Sequence, residues 1–289
     1  MLIELCNQEN HLRETPYSSI FATSATLNGL SGEWQIERFS FPLDPAKREA
    51  LRMKYNLSIE ETNLFSLSFR ENLRMQLSVF KQFSGCTNHP ALIPDNVLVE
   101  RKEYSGAEVY FIAMPYMTPL MKCSFIKGGY IEARTIATVG FRLLSGAMEL
   151  DQLGLHLGPV SVENIGMVHI RDQQLLRYGS FLYSSRASKI TPHYPFSPLT
   201  ADDEIRGGKM ENSLSSDTRS IFRLLTALAC GSPKYLGHRP EAAPAGLAPI
   251  LKKGIQESPD PSSLCRMLLH YIKEEKDAGD TEIELYVAT

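Results

Sequence analysis

The sequence contains no long hydrophobic run. Its 289 residues are 43% hydrophobic, yet nowhere do about eighteen apolar residues follow one another, so we predict no membrane-spanning helix. Positive charge is not in excess, because 30 Lys and Arg face 33 Asp and Glu, which gives a net charge of -3. This balance excludes a general affinity for nucleic acid. The first residues, Met1-Leu2-Ile3-Glu4, are not those of a signal peptide.

Cysteine is scarce as well. The five cysteines are scattered along the chain. Cys86 and His89 have the spacing of half a zinc site, but no second half lies nearby, so we expect no bound metal. Cys230 and Cys265 allow two interpretations. They are either bridged by a disulfide, as in a secreted protein, or they are two buried free thiols.

The region from Glu132 to Gly179 has the most informative pattern. Apolar residues recur at spacings of three and four between Ile136 and Leu150, which predicts an amphipathic helix. A loop follows at Gly154. We then predict a strand over residues 165–170, a turn, and a returning strand that ends at Gly179. This order of elements is typical of the catalytic region of protein kinases.

The predicted loop lacks a catalytic base. Kinases place H-R-D-x-x-x-x-N there; its Asp accepts the substrate hydroxyl proton and its Asn holds a magnesium ion. When the motif is aligned on Asn164, the Asp position is Pro159. When it is aligned on His156, that position is Gly158. Neither residue can be ionised, so both alignments predict that the base is missing.

The returning strand carries a reversed charge. It ends in Arg177-Tyr178-Gly179 where a kinase has D-F-G, whose Asp binds magnesium. Arg177 would repel a divalent cation by Coulomb's law. We therefore predict neither a metal ion nor another cofactor.

The N-terminal strands lack glycine and lysine at the positions where a kinase needs them. We predict three strands, over residues 12–21, 22–28 and 33–39. Residues 14–21, at the phosphate-loop position, contain no glycine, and Pro16 removes an N–H donor. The third strand of a kinase ends in a lysine that reaches the phosphates. Here that position is Glu37, whose carboxylate would repel ATP, and no lysine occurs between residues 14 and 45.

The next segments complete a kinase-like N-terminal half. Residues 43–67 look like a polar insertion, and the spacing from Phe69 to Phe83 predicts an amphipathic helix. Two strands follow over residues 92–117. Met114 falls at the position before the kinase hinge. The candidate residues of a vestigial nucleotide cleft are Tyr17, Met114, Asn164 and Tyr178. The sequence leaves open whether side chains fill that cleft.

The segment from Asp217 to Gly231 matches the buried central helix of a kinase in length and spacing. In that fold the Asp accepts backbone N–H groups of the catalytic loop and caps the start of the helix. The alternative is that Asp217 is an ordinary N-cap. Both interpretations make Asp217 and Gly231 structural residues.

Taken together, the chain resembles a protein-kinase fold that has lost its active site. The fold class we predict is α+β and bilobal, with a small antiparallel-sheet N-lobe over residues 1–117 and a mainly helical C-lobe over 118–277. A C-terminal tail follows over 278–289. The chain is also similar to the secreted rhoptry-type pseudokinases of apicomplexan parasites. That similarity is carried by the glycine-free first loop, residues 70–75, residues 154–158 and the helix that ends at Cys230.

The resemblance implies a secreted, catalytically inactive protein of a parasitophorous vacuole or cyst wall. It would act as a scaffold for unknown protein partners and would not bind Mg-ATP productively. Two alternatives remain at this point. The first is an atypical kinase with residual nucleotide binding. The second is a helical or mixed domain unrelated to kinases.

Overall fold

A computed structural model divides the chain into two compact units. Met1–His89 and Ile93–Met117 form the N-terminal unit, and Pro90–Leu92 and Thr118–Thr289 form the C-terminal unit. No helix in the described part of the chain is both long and apolar enough to span a bilayer. The residues that the structure describes are 1–7, 9–15, 17–84, 90–126, 129–158, 160–162, 164–170, 173–179, 183–184, 213–233, 237–256, 259–278 and 282–284.

The N-terminal unit contains a five-stranded antiparallel sheet in the order β1-β2-β3-β5-β4. Its strands are β1 (His11–Glu14), β2 (Ser18–Leu27), β3 (Leu30–Phe41), β4 (Leu98–Tyr104) and β5 (Ala107–Pro115). Its helices are α1 (Leu2–Leu5), α2 (Pro45–Tyr55) and α3 (Ile59–Phe83).

Alternating side chains give this sheet two apolar faces. On one face Trp34 and Ile36 are buried in a cluster that includes Leu2 of α1. On the other face Phe39 and Phe41 contact Phe69 of α3. The sheet is therefore covered on both sides, which explains why β5 is buried from Glu108 to Met114.

Two boundaries in this unit differ from the prediction. Strand β1 ends at Glu14 and β2 continues unbroken from Ser18 to Leu27, so the first hairpin does not turn near Phe21 as predicted. The predicted insertion contains α2 and also the first turns of α3. Helix α3 starts early because Ser58 and Glu61 form a capping box, in which each side chain accepts a hydrogen bond from the other residue's backbone N–H.

The C-terminal unit is built mainly from helices. Its helices are α4 (Ala133–Gln152), α5 (Leu214–Ala229), α6 (Ala248–Gly254) and α7 (Pro261–Ala278). Its strands are β6 (Met117–Pro119), β7 (Tyr130–Glu132), β8 (Leu155–His156), β9 (Ile165–Ile170), β10 (Gln173–Tyr178), β11 (Tyr183–Ser184) and β12 (Glu282–Glu284). Strands β9 and β10 form the predicted hairpin, β11 pairs with β8, and β12 pairs with β7.

Helix α5 lies at the centre of this unit, and its residues 216–222 are all buried. Two glycines allow neighbouring helices to approach it closely. A Cβ atom added at Gly140 of α4 would lie 2.4 Å from Leu225, and one added at Gly254 of α6 would lie 2.0 Å from Phe222. Both distances are shorter than any real Cβ contact, so a larger residue at either position would force the facing side chain to move.

The two cysteines left open by the sequence are free thiols. The Cys230 thiol donates to the carbonyl of Arg239, whereas the Cys265 sulfur lies 3.7 Å from the Ser145 hydroxyl. Burial raises the pKa of both thiols. Of the two interpretations, the pair of free thiols is the one that the structure shows.

Candidate functional site

In the N-terminal unit, the β1–β2 loop uses its own backbone N–H groups. The Thr15 hydroxyl oxygen accepts hydrogen bonds from the N–H groups of Tyr17, at 3.3 Å, and Ser18, at 2.8 Å. The Thr15 N–H donates to the Ser18 carbonyl at 2.9 Å. A phosphate-binding loop presents such N–H groups to its ligand. Here they are engaged within the turn.

A lysine from α2 holds this loop in place. Lys47 Nζ donates to the Glu14 carboxylate and, at 2.9 Å, to the Ser18 carbonyl. Burial by itself would raise the pKa of Glu14, but hydrogen bonds from Lys47, Ser19 and His11 lower it below its ordinary value. The anion bound to Lys47 beside the loop is therefore the carboxylate of Glu14.

Lys47 is the functional residue that the sequence did not reveal. It lies beyond β3, in the segment predicted as an insertion, so the search for a strand lysine passed over it. The signal for a helix was present, because Asp44 caps α2 and accepts a hydrogen bond from the Lys47 N–H. Nothing in the local pattern, however, predicts that this side chain reaches the β1–β2 loop.

Glu37 lies on β3 directly opposite Ile20. One oxygen of its carboxylate accepts a hydrogen bond of 2.5 Å from the Ser18 hydroxyl. Burial raises the pKa of Glu37, although the Ser18 hydrogen bond and the charges of Arg13 and Lys47 act in the opposite direction. A carboxyl group whose ionised form is already disfavoured therefore lies next to the loop.

Aromatic rings pack against the same loop. The Tyr17 ring lies 4.9 Å from the Phe69 ring of α3, and Phe69 also contacts Phe65 at 5.7 Å, centroid to centroid. The loop is thereby attached to the aromatic core under the sheet. Met114 is buried on β5 opposite Gln35.

In the C-terminal unit, Asp217 organises the loop that follows α4. Its two carboxylate oxygens accept hydrogen bonds from the N–H groups of Leu157 and Gly158, both at 2.9 Å. His156 Nδ1 lies 3.5 Å from the same carboxylate. Ser220, one turn further along α5, accepts a bond of 2.7 Å from the N–H of Val160. The loop backbone is thus fixed by side chains of the central helix.

Asp217 is fully buried, and burial raises its pKa. His156 and the two amide hydrogen bonds act in the opposite direction. The prediction that Asp217 also caps the helix was wrong. Helix α5 begins at Leu214, so Asp217 lies in its first turn, and Ser213 is the N-cap because its hydroxyl accepts the N–H of Ser216.

Gly231 ends α5 with a left-handed backbone angle, φ +79°, which favours glycine. Its N–H donates to the Leu228 carbonyl, and the N–H of Ser232 reaches back to Ala227. These bonds satisfy carbonyl groups that the end of a helix leaves without an intrahelical donor. Gly231 is required here by the backbone conformation.

Arg177 and Tyr178 on β10 point to backbone carbonyl groups. The Arg177 guanidinium donates to the Ala91 carbonyl at 2.6 Å and is buried. The Tyr178 hydroxyl donates to the Leu157 carbonyl at 2.8 Å, which places its ring against the loop held by Asp217. Both side chains are therefore part of the packing of this unit.

Asn164 lies in the turn before β9, and its carbonyl accepts the N–H of Gly179 at 2.8 Å. Pro159, the other predicted position in this loop, lies outside the described residues, as do Cys86 and His89. Within the part of the chain that is described, no three potential metal ligands come together.

The predicted site residues divide between the two units. Tyr17, Glu37 and Met114 belong to the N-terminal unit, and Asn164, Arg177, Tyr178, Asp217 and Gly231 belong to the C-terminal unit. Within each unit the structure brings neighbours together. Tyr17 and Glu37 flank Ser18, and Tyr178 and Asp217 both bind Leu157.

Comparison with solved structures identifies the fold. The crystal structure of the Mycobacterium tuberculosis PknI kinase domain aligns with 92% of this chain and 94% of its own, at 16% identity and a TM-score of 0.54. A double mutant of that domain aligns over the same shares, at 15% identity and a TM-score of 0.54. The chain has a protein-kinase-like fold, and the predicted fold class is confirmed.

No model of a protein family matches the sequence. No curated protein matches it either. At such low identity the structural likeness establishes the fold alone. The function must therefore be argued from the side chains of this chain.

Proposed function

We propose that this chain is a pseudokinase, a kinase-fold protein that acts through contacts with other proteins and does not transfer phosphate. The observation that carries the proposal is the β1–β2 loop. The N–H groups of Tyr17 and Ser18 are bound within the turn, Lys47 is bound to Glu14, and the half-buried carboxyl group of Glu37 contributes no positive charge to it. A kinase stabilises its transition state almost entirely by positioning and electrostatics, and here the lysine beside the loop is already paired with the carboxylate of Glu14.

The C-terminal unit supports the proposal in a second way. Arg177 stands at the position of the magnesium-binding Asp, and its guanidinium donates to a backbone carbonyl. The sequence has no carboxylate at either candidate position for the base, Gly158 or Pro159. Asp217, in contrast, keeps a role in building the loop. The residues that hold the loop are thus in place, whereas the aligned catalytic positions 158, 159 and 177 carry no carboxylate in the sequence.

The finer assignment is also a proposal. The glycine-free loop and the helix that ends at Cys230 favour a rhoptry-type apicomplexan pseudokinase that is secreted into a vacuole or cyst wall. The individual resemblance is to the bradyzoite pseudokinase of the Toxoplasma cyst wall. We propose protein partners accordingly, and neither nucleic acid nor a nucleotide cofactor.

A thermal-shift scan with ATP, ADP and Mg²⁺ tests this proposal. A ligand that binds only the folded state at about 100 times its Kd adds about 2.7 kcal/mol of stability, which raises Tm by several degrees. We expect no shift at millimolar nucleotide, with or without magnesium. A magnesium-dependent shift would instead favour an atypical kinase with residual nucleotide binding.

Two further measurements complete the test. We expect no transfer from labelled ATP to the chain itself or to a generic substrate protein. Affinity capture with the full chain, followed by reconstitution from purified components, should give a complex that survives removal of all nucleotide. Loss of the complex on nucleotide removal would contradict the proposal.

A further inference from the structure

Three arginines converge on one buried carboxylate in the N-terminal unit. Arg70 of α3 donates to Glu108 Oε2 through Nε at 2.9 Å and Nη2 at 2.6 Å. Arg74, one turn further along α3, reaches the same oxygen at 3.3 Å, and Arg101 of β4 lies 2.5 Å from the other oxygen. We call Arg70, Arg74 and Arg101 the arginine trio.

The trio carries more positive charge than Glu108 requires. One carboxylate is neutralised by one guanidinium, so the three arginines leave a formal surplus of two positive charges. The side chain of Glu108 is only 5% exposed, whereas those of Arg74 and Arg101 are 51% and 57% exposed. The carboxylate is therefore inside and the surplus charge faces solvent.

Packing fixes where these guanidinium groups point. Arg101 lies over the Tyr110 ring, 5.9 Å from its centroid, and Arg74 donates to Glu108. Burial by itself would raise the pKa of Glu108, but Tyr110 and the arginines lower it, so the carboxylate stays ionised and keeps the trio in place. A guanidinium has five N–H donors, and one held in a set orientation loses little freedom when it binds an anion.

We propose that the arginine trio binds a phosphorylated side chain of a partner protein. A phosphate group carries nearly two negative charges at neutral pH and three strong acceptor oxygens, which matches the surplus charge and the outward donors of Arg74 and Arg101. The proposal rests on the proposed function in one respect only, which is that the partner is a protein.

Two acidic side chains bear on the specificity of this surface. Glu103 of β4 lies directly opposite Glu108, and Glu71 follows Arg70 on α3; both are exposed. Neither forms an ion pair with the trio among the described residues. Their charges offset part of the trio's surplus, and they weaken its attraction for any anion in proportion to that anion's charge.

Fluorescence anisotropy on the full chain tests the proposal at fixed ionic strength. The probes are a labelled phosphothreonine peptide pool with randomised flanking positions, the same pool without phosphate, and inorganic phosphate as competitor. The variants are Arg74→Gln/Arg101→Gln, its charge-retaining counterpart Arg74→Lys/Arg101→Lys, and Glu103→Gln. Arg48→Gln, which removes an exposed arginine of α2, is the matched control.

We expect the phosphorylated pool to bind and inorganic phosphate to compete with it. The double Gln variant should bind about tenfold more weakly, the Lys variant should be intermediate, and Arg48→Gln should be unchanged. Glu103→Gln should bind about twofold to threefold more tightly, because one repelling charge is removed. An arginine trio with a purely structural role would give none of these changes in a variant that still melts cooperatively.

Three results would overturn the proposal. The first is equal binding of the unphosphorylated pool, which would make the surface a general acidic-peptide site. The second is unchanged binding in a folded double Gln variant. The third is no measurable binding of the phosphorylated pool to the wild-type chain. Because no nucleotide is present in this titration, none of these results confirms or contradicts the pseudokinase proposal.

Discussion

The β1–β2 loop and the loop after α4 are held in different ways. The β1–β2 loop is held by Lys47, whose partner Glu14 is about half exposed, together with a hydroxyl–carboxyl contact between Ser18 and Glu37. The loop after α4 is held by Asp217, which is fully buried and accepts two backbone N–H groups. The contacts that hold the first loop are partly exposed to solvent, whereas those that hold the second are buried.

This difference shows which features of a kinase fold this chain has kept. Asp217 pairs amide groups that would otherwise be buried without an acceptor, so its loss affects folding directly. The contacts of the β1–β2 loop contribute less to stability, because exposed ion pairs are weak. Under the proposed function they also limit what the loop can bind, because Lys47 already has the Glu14 carboxylate as its anion.

The largest expected effect is that of Asp217→Ala. It leaves two buried N–H groups without an acceptor, at about 1–3 kcal/mol each, so we expect a loss of about 3 kcal/mol or more in the free energy of unfolding. Ser220→Ala is the matched variant because it removes one such bond, to Val160, and should cost about 1–2 kcal/mol. Urea denaturation measures both. Equal costs for the two variants would contradict the central role of Asp217.

A smaller effect is expected from Lys47→Met. The variant keeps the apolar part of the side chain but removes the ion pair with Glu14 and the bond to the Ser18 carbonyl. We expect a loss of about 1 kcal/mol, because Glu14 is about half exposed. The loss should shrink in high salt, where surface ion pairs are screened. Arg52→Met, which breaks the exposed pair with Glu49, is the control and should cost less.

The smallest effect is the pH dependence of Glu37→Gln. Burial raises the pKa of Glu37 in the folded state, so protonated Glu37 stabilises the wild-type fold. This contribution is fully present below the pKa that Glu37 has in the unfolded chain. That contribution is lost as pH rises through the higher folded-state pKa. Gln has no charge and still accepts the Ser18 hydrogen bond. The variant should therefore match the wild type near pH 4 and melt a few degrees higher at neutral pH.

Thermal melts from pH 4 to pH 8 check this prediction. Glu33→Gln is the control, because Glu33 also accepts a serine hydroxyl, from Ser24, but at an exposed position. Its melting temperature relative to the wild type should show no comparable trend. A Glu37→Gln variant that is less stable than the wild type at neutral pH would show that the carboxylate is favoured where it lies.

Much of the fold could be predicted from sequence because periodicity reports directly on burial. The spacing of apolar residues predicted α4 and the helix that contains Phe69. The turn predicted at Ser105-Gly106 does join two strands, and both residues adopt the positive φ angles that such a turn needs. The starts of helices were less accurate. Ser58 and Ser213 cap α3 and α5, so both helices begin earlier in the sequence than predicted. Both caps lie in polar segments whose composition resembles that of a loop.

The side-chain network of the β1–β2 loop could not be predicted from sequence. The absence of glycine and of a strand lysine was visible, but the approach of Lys47 to Glu14 joins residues 33 positions apart. Such contacts depend on how a helix packs beside a sheet, which local pattern does not encode. The arginine trio is a similar case, because α3 and β4 meet at Glu108 only in the folded unit.

Equilibrium dialysis of labelled Mg-ATP against the wild-type chain and Lys47→Met tests the central claim most directly. Lys47 Nζ donates to the Ser18 carbonyl of the β1–β2 loop, so we expect phosphate binding at this loop to weaken when Lys47 is replaced. We predict no retention of nucleotide by either protein at millimolar ATP, with or without magnesium. Magnesium-dependent retention by the wild type that disappears in Lys47→Met would contradict the account, because it would make Lys47 a phosphate-binding residue.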